Sequence, residues 1–233
     1  MTIVATDTAR FSNLVKHEYF PEQGFCKKSV TYNGTATAIG VGTVLGSYIA
    51  SPVGTAGAIV GTGNGAMGAI TLTSNKDMVL GTYIVKIVQA ATNAGEFALL
   101  DPNGKVIGTG TIAVAFDQAG FAFTWADGAT DFVAGDYIPI VVTGTVKYKL
   151  VEDTATDGTQ VPKVVVVGNA QGQPLSTTAV VNTDTTFLVL YRGPCMVGKD
   201  ALVYGTSVAA GAETTAMNVL LTANSGIDVL TQI

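Results

Sequence analysis

The chain has 233 residues, enough for one large β domain or two small ones, and 48% of them are hydrophobic. Charged residues make up only 12%, about half of the roughly 25% usual in soluble domains. The net charge is −5 and the twelve basic residues are scattered, with only Lys27 and Lys28 adjacent. A groove that neutralises phosphates has no material here, so nucleic acid is not expected as a partner.

Residues Met1 to Lys28 hold eight charged or His residues, a density unlike the rest of the chain. Phe11, Leu14, Val15, Tyr19 and Phe20 lie between those charges, and Pro21 stops any helix. This reads as a flexible N-terminal arm, residues 1–28, ordered only when bound. Its partner-binding residues are Phe11, Leu14, Val15, Tyr19 and Phe20 with basic Lys27 and Lys28. Asp7 and Arg10 interrupt any apolar core of a secretory leader, so none is expected.

From Ser29 to Asn75 there is no charged side chain at all, yet Gly, Thr and Ser crowd the stretch. Pro52 and the many glycines break any run of about 20 apolar helix formers, so a membrane span is not expected. Ser29–Asn33 and Thr43–Ala50 read as strands divided by the Asn33-Gly34 turn. A second block begins near Gly54. Its strands are Tyr83–Gln89, Glu96–Leu100, Val106–Phe116, Gly120–Trp125 and Tyr137–Val142, separated by turns such as Asp101-Pro102-Asn103-Gly104. That spacing suggests an antiparallel sandwich or barrel.

A third block starts near Thr143. Lys163–Val167 and Thr186–Tyr191 read as buried strands, Ala201–Tyr204 as a short one and Ile227–Ile233 as the last. The one helix expected is Glu213–Ala223, with Ala216, Val219, Leu220 and Ala223 as its apolar face and Gly226 as its stop.

Chemical motifs are sparse. Gly63-Asn64-Gly65-Ala66-Met67-Gly68 spells a dinucleotide-binding pattern, but a strand comes next where a helix N-terminus is needed, so it reads as a hinge. His17 is the single histidine and reads as solvated. Asp127, Asp131 and Asp136, and Asp153 with Asp157, read as turn-capping carboxylates rather than a calcium loop. Cys26 and Cys195 fit no metal or redox spacing, and either two reduced thiols or a disulfide stays open. No cofactor, metal or enzymatic activity is expected.

The segment Leu14–Gly46, ending in Gly42-Thr43-Val44-Leu45-Gly46, resembles the N-terminal part of lambda-type phage head decoration (cement) proteins. The family's D-G-T/S-Q turn is matched only at Asp157-Gly158-Thr159-Gln160. The resemblance continues through Lys163–Val167, Leu188–Gly193, Glu213–Ala223 and the terminal strand. It implies a mainly β fold: a small decoration-type β domain with one short helix, residues 29–53 plus 143–233, interrupted by an inserted β-sandwich-like domain, residues 54–142. Insertion into a surface loop costs little closure entropy.

What the resemblance implies is a homotrimer on the outside of a tailed-phage virion at three-fold and quasi-three-fold positions. There it would bind the major capsid protein and stabilise the head against DNA pressure. The arm would add as a strand to a capsid sheet edge, with three arms supplying avidity. An alternative is a carbohydrate or host-adhesion module, with a glycan on the inserted domain stacked on Trp125, the chain's single tryptophan.

Overall fold

The computed structural model describes residues 14–19, 21–35, 39–171 and 183–230. Its fold is mainly β: fifteen strands and one α-helix among the described residues. The chain divides into two compact units, Met1–Tyr48 with Val146–Ile233, and Ile49–Thr145. The chain crosses between them at Tyr48/Ile49 and Thr145/Val146, inside strands β3 (Val44–Ala56) and β11 (Tyr137–Leu150). The sequence placed these boundaries at Gly54 and Val142, because Pro52 and the Thr143-Gly144-Thr145 run look like strand ends. Both strands instead run 13 and 14 residues.

In the first unit, β2 (Lys27–Tyr32), β13 (Thr185–Leu190), β12 (Pro162–Asn169), β3 and the end of β11 lie in that order, and β2 also pairs with β11 at Tyr32 and Tyr148. That last pairing closes the strands into a small barrel. Its interior is filled by Val30, Tyr32, Leu45, Val164, Val166, Phe187 and Val189. Strand β12 shows why Lys163–Val167 has no polar alternation. Val164 and Val166 point into the barrel, while Val165 and Val167 join a second core with the helix. Burying each Val is worth about 1.5–3 kcal/mol.

That second core is roofed by helix α1 (Ala212–Ser225) and a sheet of β1 (Val15–Glu18), β14 (Cys195–Gly198) and β15 (Ile227–Leu230). The helix ends as the sequence implies, on Gly226 in the left-handed region with its amide donating to Thr222 O at 2.8 Å. Its orientation is the reverse of the expectation. Met217 and Leu221 face the core, whereas Ala216, Val219, Leu220 and Ala223 lie outward, Val219 at 64% exposure. The helix carries only Glu213 as a charge, so no polar face marked which side meets solvent. Tyr204 fixes it from below, its hydroxyl donating to Asn218 Oδ1 at 2.7 Å. Ala201–Tyr204 is no strand: a 3-10 turn, Lys199–Ala201, leads to a single bridge at Val203.

The second unit sets β6 (Gly81–Ala91), β7 (Ala94–Leu100), β8 (Val106–Thr111) and the start of β11 in one antiparallel sheet. A smaller sheet holds β10 (Phe121–Ala126) between β4 (Ala66–Met67) and β5 (Thr71–Leu72), with β9 (Ala115–Gln118) beside it. Tyr83, Val85 and Ile87 from one sheet and Phe121, Phe123 and Trp125 from the other share a core with Phe97, Phe116 and Phe132. The expected strand Val106–Phe116 is two strands, broken where Ala113 takes φ 63.

Candidate partner-binding face

The base of the expected arm is part of the folded body. Leu14 is fully buried in the second core of the first unit, with Val15 packed against it. Val15, His17 and Glu18 pair with Val197, Met196 and Cys195 of β14. Tyr19 N donates to Pro194 O at 3.2 Å, and Lys27 and Lys28 sit in β2 opposite Leu190 and Val189. An arm of 28 free residues is therefore corrected. Leu14, Val15, Lys27 and Lys28 are held by their own chain. Phe11 and Phe20 lie outside the described residues.

The same segment does build a surface. Lys27 is neutralised by Glu18 at 2.7 Å, with the Glu18 side chain 5% exposed. Its neighbour Lys28 projects to solvent, where Nζ lies 4.9 Å from the Tyr191 ring centre and donates to the Tyr148 hydroxyl at 3.2 Å. Arg192 stacks 3.9 Å from the Phe25 ring centre and 5.0 Å from that of Tyr191, its Nε donating to Phe25 O at 2.8 Å. Tyr19, 44% exposed, meets Phe25 edge-on at 5.8 Å. Each such cation–ring contact is worth roughly 0.5–1 kcal/mol at an exposed site. Tyr and Arg are the residue types that dominate protein interfaces.

Sequence reasoning picked Tyr19 and Lys28 but missed Phe25, Tyr191 and Arg192. Phe25 and Arg192 stand 167 residues apart, and only the β2–β13 pairing brings them together. The adjacent Tyr191-Arg192 closing a buried strand was the available signal.

Elsewhere the motifs have structural jobs. In the dinucleotide-like run, the amides of Thr62 and Gly63 donate to Asp136 at 3.1 and 2.9 Å, and side chains at Gly63 or Gly65 would collide with Phe132. Asp131 accepts from Asn93 N at 3.0 Å and Asp157 from Lys149 at 2.7 Å. Among the described residues no three His, Cys, Asp or Glu converge as a metal site. Trp125 is fully buried, 4.6 Å from Phe132, so it offers no ring to a sugar. An open groove of about 430 Å³ in the second unit is lined by Ile84, Lys86, Leu100, Asp101 and Tyr137. Its one carboxylate, Asp101, is held below the ordinary range by its own turn, chiefly the Lys105 amide. No helix among the described residues is long and apolar enough to cross a membrane.

No family model matches the chain, and no curated protein does. Among solved structures, the crystal structure of Xanthomonas campestris FlgL aligns with 48% of this chain and 33% of its own, at 17% identity and a TM-score of 0.29. The chain thus spans a third of that protein's length, and a likeness so slight assigns no fold.

Proposed function

We propose that this chain is a non-enzymatic capsid decoration protein. As a homotrimer on the outer surface of a tailed-phage head, it binds the major capsid protein and stabilises the shell against internal DNA pressure. One observation carries the reading. The two stretches that resemble the decoration family are separated by some 110 residues of sequence, yet both belong to the first unit. Gly46, Leu45 and Val44 of the first stretch pair with Pro162, Val164 and Val165 of β12, which comes directly after the Asp157–Gln160 turn. The carbonyl of Thr159 in that turn leaves no room for a side chain at Gly46. Residues 49–145 then read as an insertion between the two stretches.

The leader that adds to a capsid sheet edge is Met1–Asn13, shorter than the sequence alone suggested. Decoration-free expanded heads of the phage that encodes the protein test this directly. The full chain should appear as density outside the three-fold and quasi-three-fold positions in electron microscopy. A chain lacking residues 2–13 should lose at least about tenfold in head binding, because three strand additions act together, while its β content by circular dichroism reports that the body still folds. No density on the shell would end the reading. Deletion through Lys28, by contrast, removes β1 and the start of β2 and should unfold the first unit.

The outward stripe of α1 supports the trimer. Ala216, Val219, Leu220 and Ala223 form an uncharged face on a 14-residue helix, and covering it with other copies removes apolar area from water. Val219→Glu with Leu220→Glu should shift the trimer to monomer in sedimentation without lowering the melting temperature. A trimer that persists in this variant would place the seam elsewhere.

A further inference from the structure

We propose that the Phe25–Arg192–Tyr191–Lys28 stack is a docking site for an acidic polypeptide segment, one presenting carboxylates to Arg192 and Lys28. The inference deepens the capsid reading, on which it rests only for who presents that segment. Four observations converge. First, these are the cations of the face that lack a carboxylate. Lys27 has Glu18, whereas among the described residues neither Lys28 nor Arg192 has an acidic group within 4 Å. In a chain of net charge −5, two uncompensated cations on one tyrosine ring are a local exception, and their mutual repulsion is relieved by a bound anion.

Second, the guanidinium is pre-oriented. Nε is held by Phe25 O and Cζ lies 3.9 Å from the Phe25 ring centre. The two terminal nitrogens are left as the fork that grips a carboxylate in a bidentate pair. Third, the spacing suits an extended chain. The distances to the Tyr191 ring put the two charges no more than about 10 Å apart. Acidic side chains two residues apart on a strand start about 6.8 Å apart and lie on one face. Fourth, the backbone around the site is tied down: Lys28 lies in β2 opposite Val189 of β13, and Phe25 and Tyr191 flank those strands, where Tyr191 N donates to Cys26 O at 2.9 Å. A backbone fixed in advance adds little ordering cost on docking. A nucleic-acid ligand is the weaker fit, because two cations neutralise too few phosphates and the rest of the chain is acidic.

The test is a titration of the full-length protein with a penta-glutamate peptide, followed by NMR at the Arg192 Nε–Hε signal. Saturable shifts are expected at Arg192, Lys28 and Tyr191, weakened at least tenfold in Arg192→Gln and about threefold to tenfold in Lys28→Gln. Lys28→Gln leaves the Phe25 contacts intact, so it decides the matter if Arg192→Gln is misfolded. Equal affinity of the well-folded variants overturns the proposal, as does tighter binding of the oligonucleotide (dT)10. A shift of the Arg192 signal on deleting residues 2–13 also overturns it, by making the chain's own leader the occupant. On expanded heads, wild-type binding that Lys28→Gln and Arg192→Gln both retain removes this site and leaves the capsid reading standing. Heads that bind no protein at all end the capsid reading, while the peptide titration still judges the site.

Discussion

Asp136→Ala should destabilise the second unit by about 3–5 kcal/mol, the largest single-site loss expected outside the aromatic core. The carboxylate is 4% exposed and accepts from three backbone amides: Thr62 at 3.1 Å, Gly63 at 2.9 Å and Val133 at 3.1 Å. Gly61, at φ 141, closes so tightly on it that a side chain there would strike the carboxylate. Alanine leaves three amides facing a void, each costing about 1–3 kcal/mol less whatever water restores. Urea unfolding monitored by tryptophan fluorescence reads this unit selectively, because the one tryptophan, Trp125, lies in its core. A loss below about 1 kcal/mol, the floor for one orphaned amide, would mean that the glycine loop is held by something other than Asp136.

The acid response of the same variant is a matter of linkage. Burial alone would raise the Asp136 pKa, but the amides of Gly63, Val133 and Thr62 outweigh it and hold the group below its ordinary value. A depressed folded pKa gives stability that is full above the unfolded value of about 3.9 and is lost as pH falls through the folded one. Wild-type stability should thus decline below about pH 4, and more steeply than that of Asp136→Ala, which keeps only the smaller decline from the other carboxylates held low, Asp101, Asp157 and Asp184.

Much of the β architecture was legible because short-range pattern and turn chemistry agreed with it. The four valines of β12 announced burial on both faces, and Asp101-Pro102-Asn103-Gly104 separated β7 from β8. The misses have physical causes. Val15-Lys16-His17-Glu18 is too polar to read as a strand and becomes one only by pairing with β14, some 180 residues away. Ala113 carries a positive φ without the glycine that would have marked the break between β8 and β9. In α1 the apolar stripe was real but faced outward, because the buried pair Met217 and Leu221 offers an equally apolar alternative. At the candidate site, the charge and the aromatic rings were visible singly. Their stacking depends on strand register, which local sequence does not encode.

Both thiols should resist Ellman's reagent in the folded protein at pH 8, reacting at least about 1000-fold more slowly than in about 6 M guanidinium, where both should titrate. Cys26 and Cys195 are free and almost wholly buried. The Cys195 thiol is pushed up to about 12, by burial first and then by its neighbour Cys26. At pH 8 that leaves about one thiolate in ten thousand, against roughly a quarter for an ordinary cysteine near 8.5. Because the folded pKa is raised, the neutral thiol contributes full stability below the ordinary value and loses it as pH climbs toward 12, so the first unit should weaken above about pH 9. The measurement also bears on the proposed face. Cys26 Sγ lies 3.7 Å from Tyr19 O and 3.5 Å from Pro194 O, and Cys195 Sγ lies 3.6 Å from Arg192 O. These thiols therefore lie against the backbone of Tyr19, Pro194 and Arg192, with Phe25 packed on the same core, and no reagent reaches them until that region opens. Rapid labelling of the native chain would mean that the stack forms only on binding, with its ordering cost subtracted from affinity. Slow labelling means that the stack stands ready before any partner arrives.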